Sequence, residues 1–192
     1  MSVGKLLLHP RSISTAPPSR AALVAAMQHL GLFGRPLTAE SSSPRFLAGE
    51  RFLQLITFLG CSPHIDLDPP QDGKSEFCYL ELLGPWRYPR FLQGPNTRPP
   101  GCPACRRKHA EWRSLVGPKF MQEGVPEWTC PACGHRAAAS DWNWRQQAGI
   151  GRVFVQINSI FPSEAVPTNE LMSRLEQLSG GTWQYFYLRD WL

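Results

Sequence analysis

Four cysteines in two identical tetrapeptides are the feature that most restricts what this chain can fold into. Cys102 and Cys105 form one Cys-Pro-Ala-Cys pair, and Cys130 and Cys133 form the second, with 24 residues between the pairs. A two-residue gap lets a tight turn direct two sulfurs at one ion while backbone amides face them. Two such turns complete a tetrahedral thiolate site. The spacing therefore predicts that these four residues hold a zinc ion (Zn2+) in a structural role.

Three other cysteine chemistries stay open at this point. A dithiol redox centre would want its pair after a strand and at the start of a helix, which proline-flanked duplicate pairs fit poorly. An iron–sulfur cluster also uses four cysteines, and the sequence argues against it only weakly. A catalytic zinc normally mixes in histidine or carboxylate ligands; His109 and His135 lie nearby in the chain, but four thiolates would already close the shell.

The segment around the cysteine pairs resembles a known small module. The second pair continues into Gly134, and the stretch EWTCPACGHRAAASDW reads as a β-hairpin carrying a cysteine knuckle. Residues 98–145 resemble zinc-ribbon proteins, whose CPxCG knuckles sit on β-hairpins. The resemblance implies a fold and a bound metal rather than an activity, and no family is recognised for the whole chain. The first knuckle departs from the pattern, because Arg106 stands where the second has Gly134.

Two distant segments share a layout that suggests an internal duplication. An apolar run opens each, at 4–8 and at 151–155, and each is followed by a helix pattern that ends at a glycine. Ser19 is placed to cap the first helix and Thr168 the second. The apolar residues of each helix recur at the i, i+4, i+7 spacing of a one-sided helix, namely Leu23, Met27 and Leu30 in the first and Leu171, Leu175 and Leu178 in the second.

Each predicted helix is followed by an apolar run that reads as a strand, at 51–60 and at 182–188. Each half is then strand, helix, strand, which predicts an α+β protein with a ferredoxin-like duplicated sandwich. The run at 77–83 reads as an additional strand that pairs with 51–60. The predicted organisation is 1–84 for the first half of the α+β domain, 85–150 for an inserted zinc ribbon, and 151–192 for the second half.

The apolar content of the chain and the length of its apolar runs predict the cellular compartment of the protein. The 192 residues are 42% hydrophobic, enough for a real core. The three leucines at 6–8 are too short for a signal-peptide core and no run approaches a membrane span, so we expect a cytoplasmic protein without membrane contact. In a reducing compartment disulfides are disfavoured, which strengthens the metal interpretation.

Positive charge concentrates around the cysteines. Between Arg87 and Arg136, nine basic residues face three acidic ones, whereas the rest of the chain is slightly acidic. Basic groups bind phosphates and an aromatic face can stack on a base, as in many single-strand binders. The primary hypothesis is therefore a non-enzymatic protein that binds single-stranded nucleic acid or RNA. The residues assigned to this contact are Arg98, Arg106, Arg107, Lys108, Trp112, Arg113 and Lys119, with Trp128 as a second candidate face.

Two observations weigh against that hypothesis. Four thiolates and one Zn2+ carry a charge of −2, so the knuckle arginines could merely offset the site. The tryptophans could equally be the core of a module that has little other apolar mass. An alternative function is a protein–protein adaptor or homo-oligomeric scaffold anchored by the C-terminal aromatics of WQYFYLRDWL, Phe186 and Trp191 among them. The competing interpretation is that these aromatic residues belong to a last strand that faces the protein interior, followed by a docked C-terminus.

A third hypothesis is a thiol-dependent enzyme. Cys61 and His64 follow an apolar run, with Asp66 and Asp68 close by, an arrangement compatible with an activated thiolate. Together with Cys78 they could form a second metal site. A lone cysteine at a strand end is more often a small buried hydrophobe, and no third orienting group is identifiable. Phosphate-binding glycine loops and dinucleotide fingerprints are absent from the sequence, which favours a protein without enzymatic activity.

Overall fold

The described part of the chain forms twelve short strands and four α-helices. The computed structural model describes residues 4–38, 43–59, 65–70, 76–116, 124–161 and 163–189. The strands are β1 (Gly4–Pro10), β2 (Phe33–Thr38), β3 (Arg45–Ala48), β4 (Ile56–Phe58), β5 (Tyr79–Leu83), β6 (Arg90–Gln93), β7 (Glu127–Thr129), β8 (Arg136–Ala138), β9 (Ala148–Gly151), β10 (Phe154–Ile160), β11 (Ala165–Pro167) and β12 (Trp183–Arg189). The helices are α1 (Arg20–His29), α2 (Phe52–Leu55), α3 (Trp112–Leu115) and α4 (Asn169–Ser179).

Six of the strands form one antiparallel sheet in the order β12-β1-β10-β5-β3-β2. The central pair is β10 and β5, with Gln156 opposite Glu81. Strand β12 lies beside β1 along its whole length, so the first and last described strands are neighbours in one sheet. The remaining strands form three two-stranded sheets, β11-β4, β6-β9 and β7-β8.

Helices α1 and α4 cover one face of this sheet. The Ser19 hydroxyl accepts from the Ala22 amide at 3.2 Å, and the Thr168 hydroxyl accepts from the Leu171 amide at 3.4 Å, so both predicted caps are confirmed. Helix α4 ends at Gly180, whose φ of 70° completes a left-handed cap. The apolar residues predicted for both helices pack with alternate residues of β1 and β10 in the main core, including Leu23, Met27, Leu171 and Leu175.

The prediction of a strand over 51–60 was wrong for its first half. Phe52 and Leu55 are fully buried at helical spacing in α2, and the strand within the described residues of this run is β4. Strand β4 pairs with β11 outside the large sheet. The run at 77–83 does form a strand, but β5 lies between β10 and β3 and not against 51–60. The periodicity of residues 52–55 fits one buried helical turn as well as a strand, so the pattern alone did not separate the two.

The β6-β9 pair packs on the opposite face of the sheet, over β1, β10 and β12. Leu7, Phe154, Phe186 and Leu188 form a second apolar cluster there, against which Leu92 of β6 packs. Strand β9 approaches closely, since a Cβ atom at Gly149 would clash with the ring of Phe186. Because β6 lies near the start of the 85–150 segment and β9 near its end, their pairing brings the two ends of that segment together.

The fold is thus a mixed α and β structure, mostly strands, built on a large antiparallel sheet. This much of the predicted α+β class is confirmed. The ferredoxin-like duplication and the domain boundaries remain predictions. None of the helices in the described ranges is both long and apolar enough to cross a membrane.

Candidate metal centre

The four predicted cysteine ligands come together in space. Their sulfur atoms all lie within 4.8 Å of one another. The Sγ atoms of Cys102 and Cys133 are 3.8 Å apart, and those of Cys105 and Cys130 are 3.7 Å apart. A zinc ion with four thiolates at about 2.3 Å in tetrahedral geometry requires sulfur separations of about 3.8 Å. The donor set and the two shortest separations therefore fit a four-thiolate zinc.

Both cysteine pairs adopt the same backbone turn. The Arg106 amide donates to the Cys102 carbonyl at 2.9 Å, and the Gly134 amide donates to the Cys130 carbonyl at the same distance. The amide of Cys102 donates to the Arg107 carbonyl, and that of Cys130 to the His135 carbonyl. The second turn closes the β7-β8 hairpin, in which Trp128 lies opposite Ala137. The hairpin predicted from EWTCPACGHRAAASDW is therefore present, whereas zinc-ribbon membership remains a prediction.

Hydrogen bonds around the sulfurs favour the thiolate form of Cys130. Further thiolates in the cluster require a bound cation. Burial alone would raise the pKa of Cys130, but hydrogen bonds from the Ala132 and Cys133 amides and the neighbouring thiols lower it to about 7. The His135 amide lowers the pKa of Cys133, yet the adjacent thiols raise it to about 12. Adjacent thiolates repel one another, so full deprotonation of the cluster needs a bound metal ion.

A tryptophan core lies directly beneath the cysteines. Trp112, Trp128, Trp142 and Trp144 are all at least 94% buried and pack with Cys102 and Cys130 in one apolar cluster. Their ring centroids are 5.4 to 5.8 Å apart in steep edge-to-face contacts. The structure thus favours the interpretation of the tryptophans as core. Trp112, 1% exposed, presents no face on which a base could stack.

The two nearby histidines are not part of the cluster. His109 is buried between the rings of Trp128 and Trp142, with centroids 5.7 and 5.4 Å away. His135 is exposed and contributes its backbone carbonyl to the second turn. Within the described ranges, the group of potential metal ligands at this site contains the four cysteines alone. A closed shell of four thiolates is typical of structural and not catalytic zinc.

The cations assigned to nucleic-acid binding are exposed where the structure describes them. Arg106, Arg107 and Lys108 follow the first cysteine pair directly. Arg98 precedes it, and Arg113 lies over the Trp112 ring at 5.0 Å. None of these five forms an ion pair with another described residue. Lys119 lies outside the described residues.

The thiol-enzyme hypothesis gains little support. Cys61 and His64 lie outside the described residues. Cys78 is fully buried in the main core, and burial raises the pKa of its thiol to about 12. A thiol in that state is a poor nucleophile and a poor metal ligand.

The surface expected for an adaptor is largely internal. Phe186 is 1% exposed and Leu188 is 8% exposed, which fits the inward-facing interpretation of the last strand; Trp191 is not described. The outer edge of β12 is also occupied. Asn96 donates to the Tyr187 carbonyl at 2.8 Å and accepts from the Arg189 amide at 3.0 Å. Such bonds shield a strand edge that would otherwise pair with another chain.

Two arginines that line a cavity were not predicted from the sequence as candidate functional residues. Arg145 and Arg189 line the same cavity as Arg98, although the three lie far apart in the chain. No local spacing signals their proximity, because the packing of the 85–150 segment against β12 creates it.

Comparisons with protein-family models, with curated proteins and with solved structures find no match for this chain. Any function of this chain must therefore be inferred from the chemistry of the site itself.

Proposed function

We propose that this chain is a non-enzymatic zinc-binding protein whose cysteine module binds single-stranded nucleic acid. The observation that carries the proposal is the gathering of four cysteine sulfurs within 4.8 Å, with exposed cations on the first turn. The zinc holds the two turns in place. The cations of the first turn contact phosphates.

The zinc role is supported by the closed thiolate shell and by the shared core. Cys102 and Cys130 are buried against the tryptophans, so the metal and the apolar cluster stabilise the same small module. A segment with such short strands buries little apolar area apart from these rings, and zinc supplies folding free energy directly in modules of this kind.

The nucleic-acid role is supported by charge and exposure. Arg106, Arg107 and Lys108 are consecutive, exposed, and free of ion pairs within the described ranges. The −2 charge of a zinc tetrathiolate offsets part of this positive potential. Because Trp112 is buried, any stacking on bases would use another ring. The exposed aromatic side chain between residues 85 and 116 is Tyr88, 46% accessible.

Salt-dependent binding tests this proposal. A fluorescent single-stranded 12-mer is titrated with the zinc-loaded chain at 50 to 200 mM salt and followed by anisotropy. Three phosphate contacts predict a slope of log K against log salt of about −2, since each contact to a single strand contributes about −0.7. Charge reversal at Arg106, Arg107 or Lys108 should weaken binding and flatten the slope by about one contact each.

The matched control is Arg35→Glu, which reverses an exposed charge on β2 at the far edge of the sheet. It changes net charge equally and should leave the slope near the wild-type value. Equal losses of oligonucleotide affinity in Arg35→Glu and Arg107→Glu would show that the effect arises from net charge alone. Salt-insensitive association, or none, would refute nucleic-acid binding while leaving the zinc assignment intact.

A further inference from the structure

A polar cavity of about 350 Å³ lies where the 85–150 segment meets the end of β12. It is lined by Arg98, Arg145 and Arg189 together with uncharged polar groups, and no acidic side chain of the described residues lines it. None of the three arginines forms an ion pair within the described ranges. A volume of this size is at the lower end of the range for small-molecule sites.

The walls of the cavity are joined by hydrogen bonds. Asn96 bridges the Tyr187 carbonyl and the Arg189 amide, as described above. The Tyr187 amide donates to the Gln146 carbonyl at 2.9 Å, and the Thr97 hydroxyl donates to the Gln147 carbonyl at 2.6 Å. These bonds fix the three arginine-bearing segments relative to one another, which preorganises a binding site.

The backbone is strained at the same place. Arg145 and Gln146 are consecutive non-glycine residues with φ of 54° and 56°, and Ser163, which also lines the cavity, has φ of 72°. This left-handed conformation costs free energy for residues with a Cβ atom and tends to cluster at functional sites. The side chain of Asn143 supports it by accepting from the Arg145 amide at 2.9 Å.

We propose that this cavity binds a phosphate monoester through Arg98, Arg145 and Arg189. Guanidinium groups match the geometry of phosphate oxygens in bidentate pairs, and three of them with no lining carboxylate select an anion. The phosphate could belong to a small molecule such as a mononucleotide or to the end of a nucleic-acid strand. The site goes beyond the function proposed above, because it does not require the cations of the first cysteine turn.

Calorimetry on the zinc-loaded full chain tests the site with AMP and adenosine, which differ only in the phosphate. AMP should bind at least about ten-fold more tightly than adenosine. Arg98→Gln, Arg145→Gln and Arg189→Gln should each weaken AMP binding by about ten-fold, equivalent to ~1.4 kcal/mol. Arg35→Gln removes the same charge from the far edge of the sheet and should leave AMP binding unchanged. Thermal unfolding confirms that each variant folds; if Arg145→Gln does not, the exposed Arg98 and Arg189 carry the test.

A second arm compares a single-stranded hexanucleotide with and without a 5′-phosphate. Discrimination by the 5′-phosphate that is lost in Arg189→Gln, with no binding of AMP, would support the site and assign the phosphate to a nucleic-acid end. Charge reversal at Arg107 should leave AMP binding unchanged, which separates this site from the cysteine module. Equal affinity for AMP and adenosine together with indifference to the 5′-phosphate, or binding that survives all three substitutions, would overturn the proposal.

Discussion

Arg106 and Gly134 occupy equivalent positions in the two cysteine turns and share one backbone conformation, with φ of 63° and 70°. Glycine adopts this conformation freely, whereas a residue with a Cβ atom pays roughly 1–2 kcal/mol for it. The departure from the CPxCG pattern at Arg106 therefore leaves the turn geometry unchanged and strains its backbone instead.

Arg106→Gly should stabilise the zinc-loaded protein. The free energy gained by removing the left-handed strain exceeds the entropic cost of glycine's greater flexibility. The free energy of unfolding should therefore rise by up to about 1 kcal/mol. Denaturant unfolding in zinc-buffered solution measures it. The control Arg107→Gly removes the same charge where φ is not positive, and it should destabilise. If Arg106→Gly lowers the free energy of unfolding as much as the control does, the backbone of Arg106 is not strained.

Trp112→Ala should destabilise the cysteine module by roughly 3–5 kcal/mol, because the ring is buried among other aromatic residues. Trp112→Phe should cost less and leave nucleic-acid affinity unchanged. Denaturant unfolding together with oligonucleotide titration distinguishes the two roles. A stable Trp112→Phe variant with strongly reduced affinity for the oligonucleotide would show that Trp112 contacts nucleic acid.

Stability should fall between pH 7 and pH 5 because of His9. This residue is 2% exposed between Phe154 and Phe186, and burial lowers its pKa to about 4 from an ordinary value of 6.5. Below pH 6.5 the unfolded chain binds a proton that the folded chain does not, so unfolding becomes more favourable as pH falls. The loss at pH 5 is roughly 2 kcal/mol relative to pH 8.

The His9 contribution is isolated by comparison with His9→Gln. The wild type should lose about 2 kcal/mol more than this variant over that pH range, and acid release of zinc affects both proteins alike. Identical pH profiles for the two proteins would show that His9 does not remain neutral in the folded state.

Removal of zinc with a chelator should loosen the tryptophan core and spare the large sheet. Four of the seven tryptophans pack with Cys102 and Cys130, so their emission should shift to the red as the turns open. The far-UV circular dichroism of α1, α4 and the six-stranded sheet should largely persist, since their core is a separate cluster. Unchanged tryptophan emission after complete loss of metal would argue against a structural role.

The features predictable from the sequence are local ones. The two-residue gap within each cysteine pair predicted the two metal-binding turns, and the cap residues with the apolar periodicity predicted α1 and α4, because each of these patterns depends on contacts within a few residues. The buried turn at 52–55 was misread as strand because a short apolar run fits both periods.

Contacts between distant segments were not accessible in this way. The neighbours of β5 depend on the order of the strands in the large sheet. The cavity lined by Arg98, Arg145 and Arg189 depends on how the 85–150 segment packs against β12. Burial of Trp112 likewise depends on partners such as Trp144, which lies far along the chain from it. Sequence patterns identify which residues can form a core, but tertiary packing decides which of them remain exposed.

X-ray absorption spectroscopy of the protein as purified, without added metal, determines whether the four cysteines hold a zinc ion. We expect one zinc per chain with four sulfur neighbours at about 2.3 Å, and loss of that shell in a Cys130→Ser variant. An iron signal, or a zinc shell dominated by nitrogen and oxygen that survives Cys130→Ser, would contradict it.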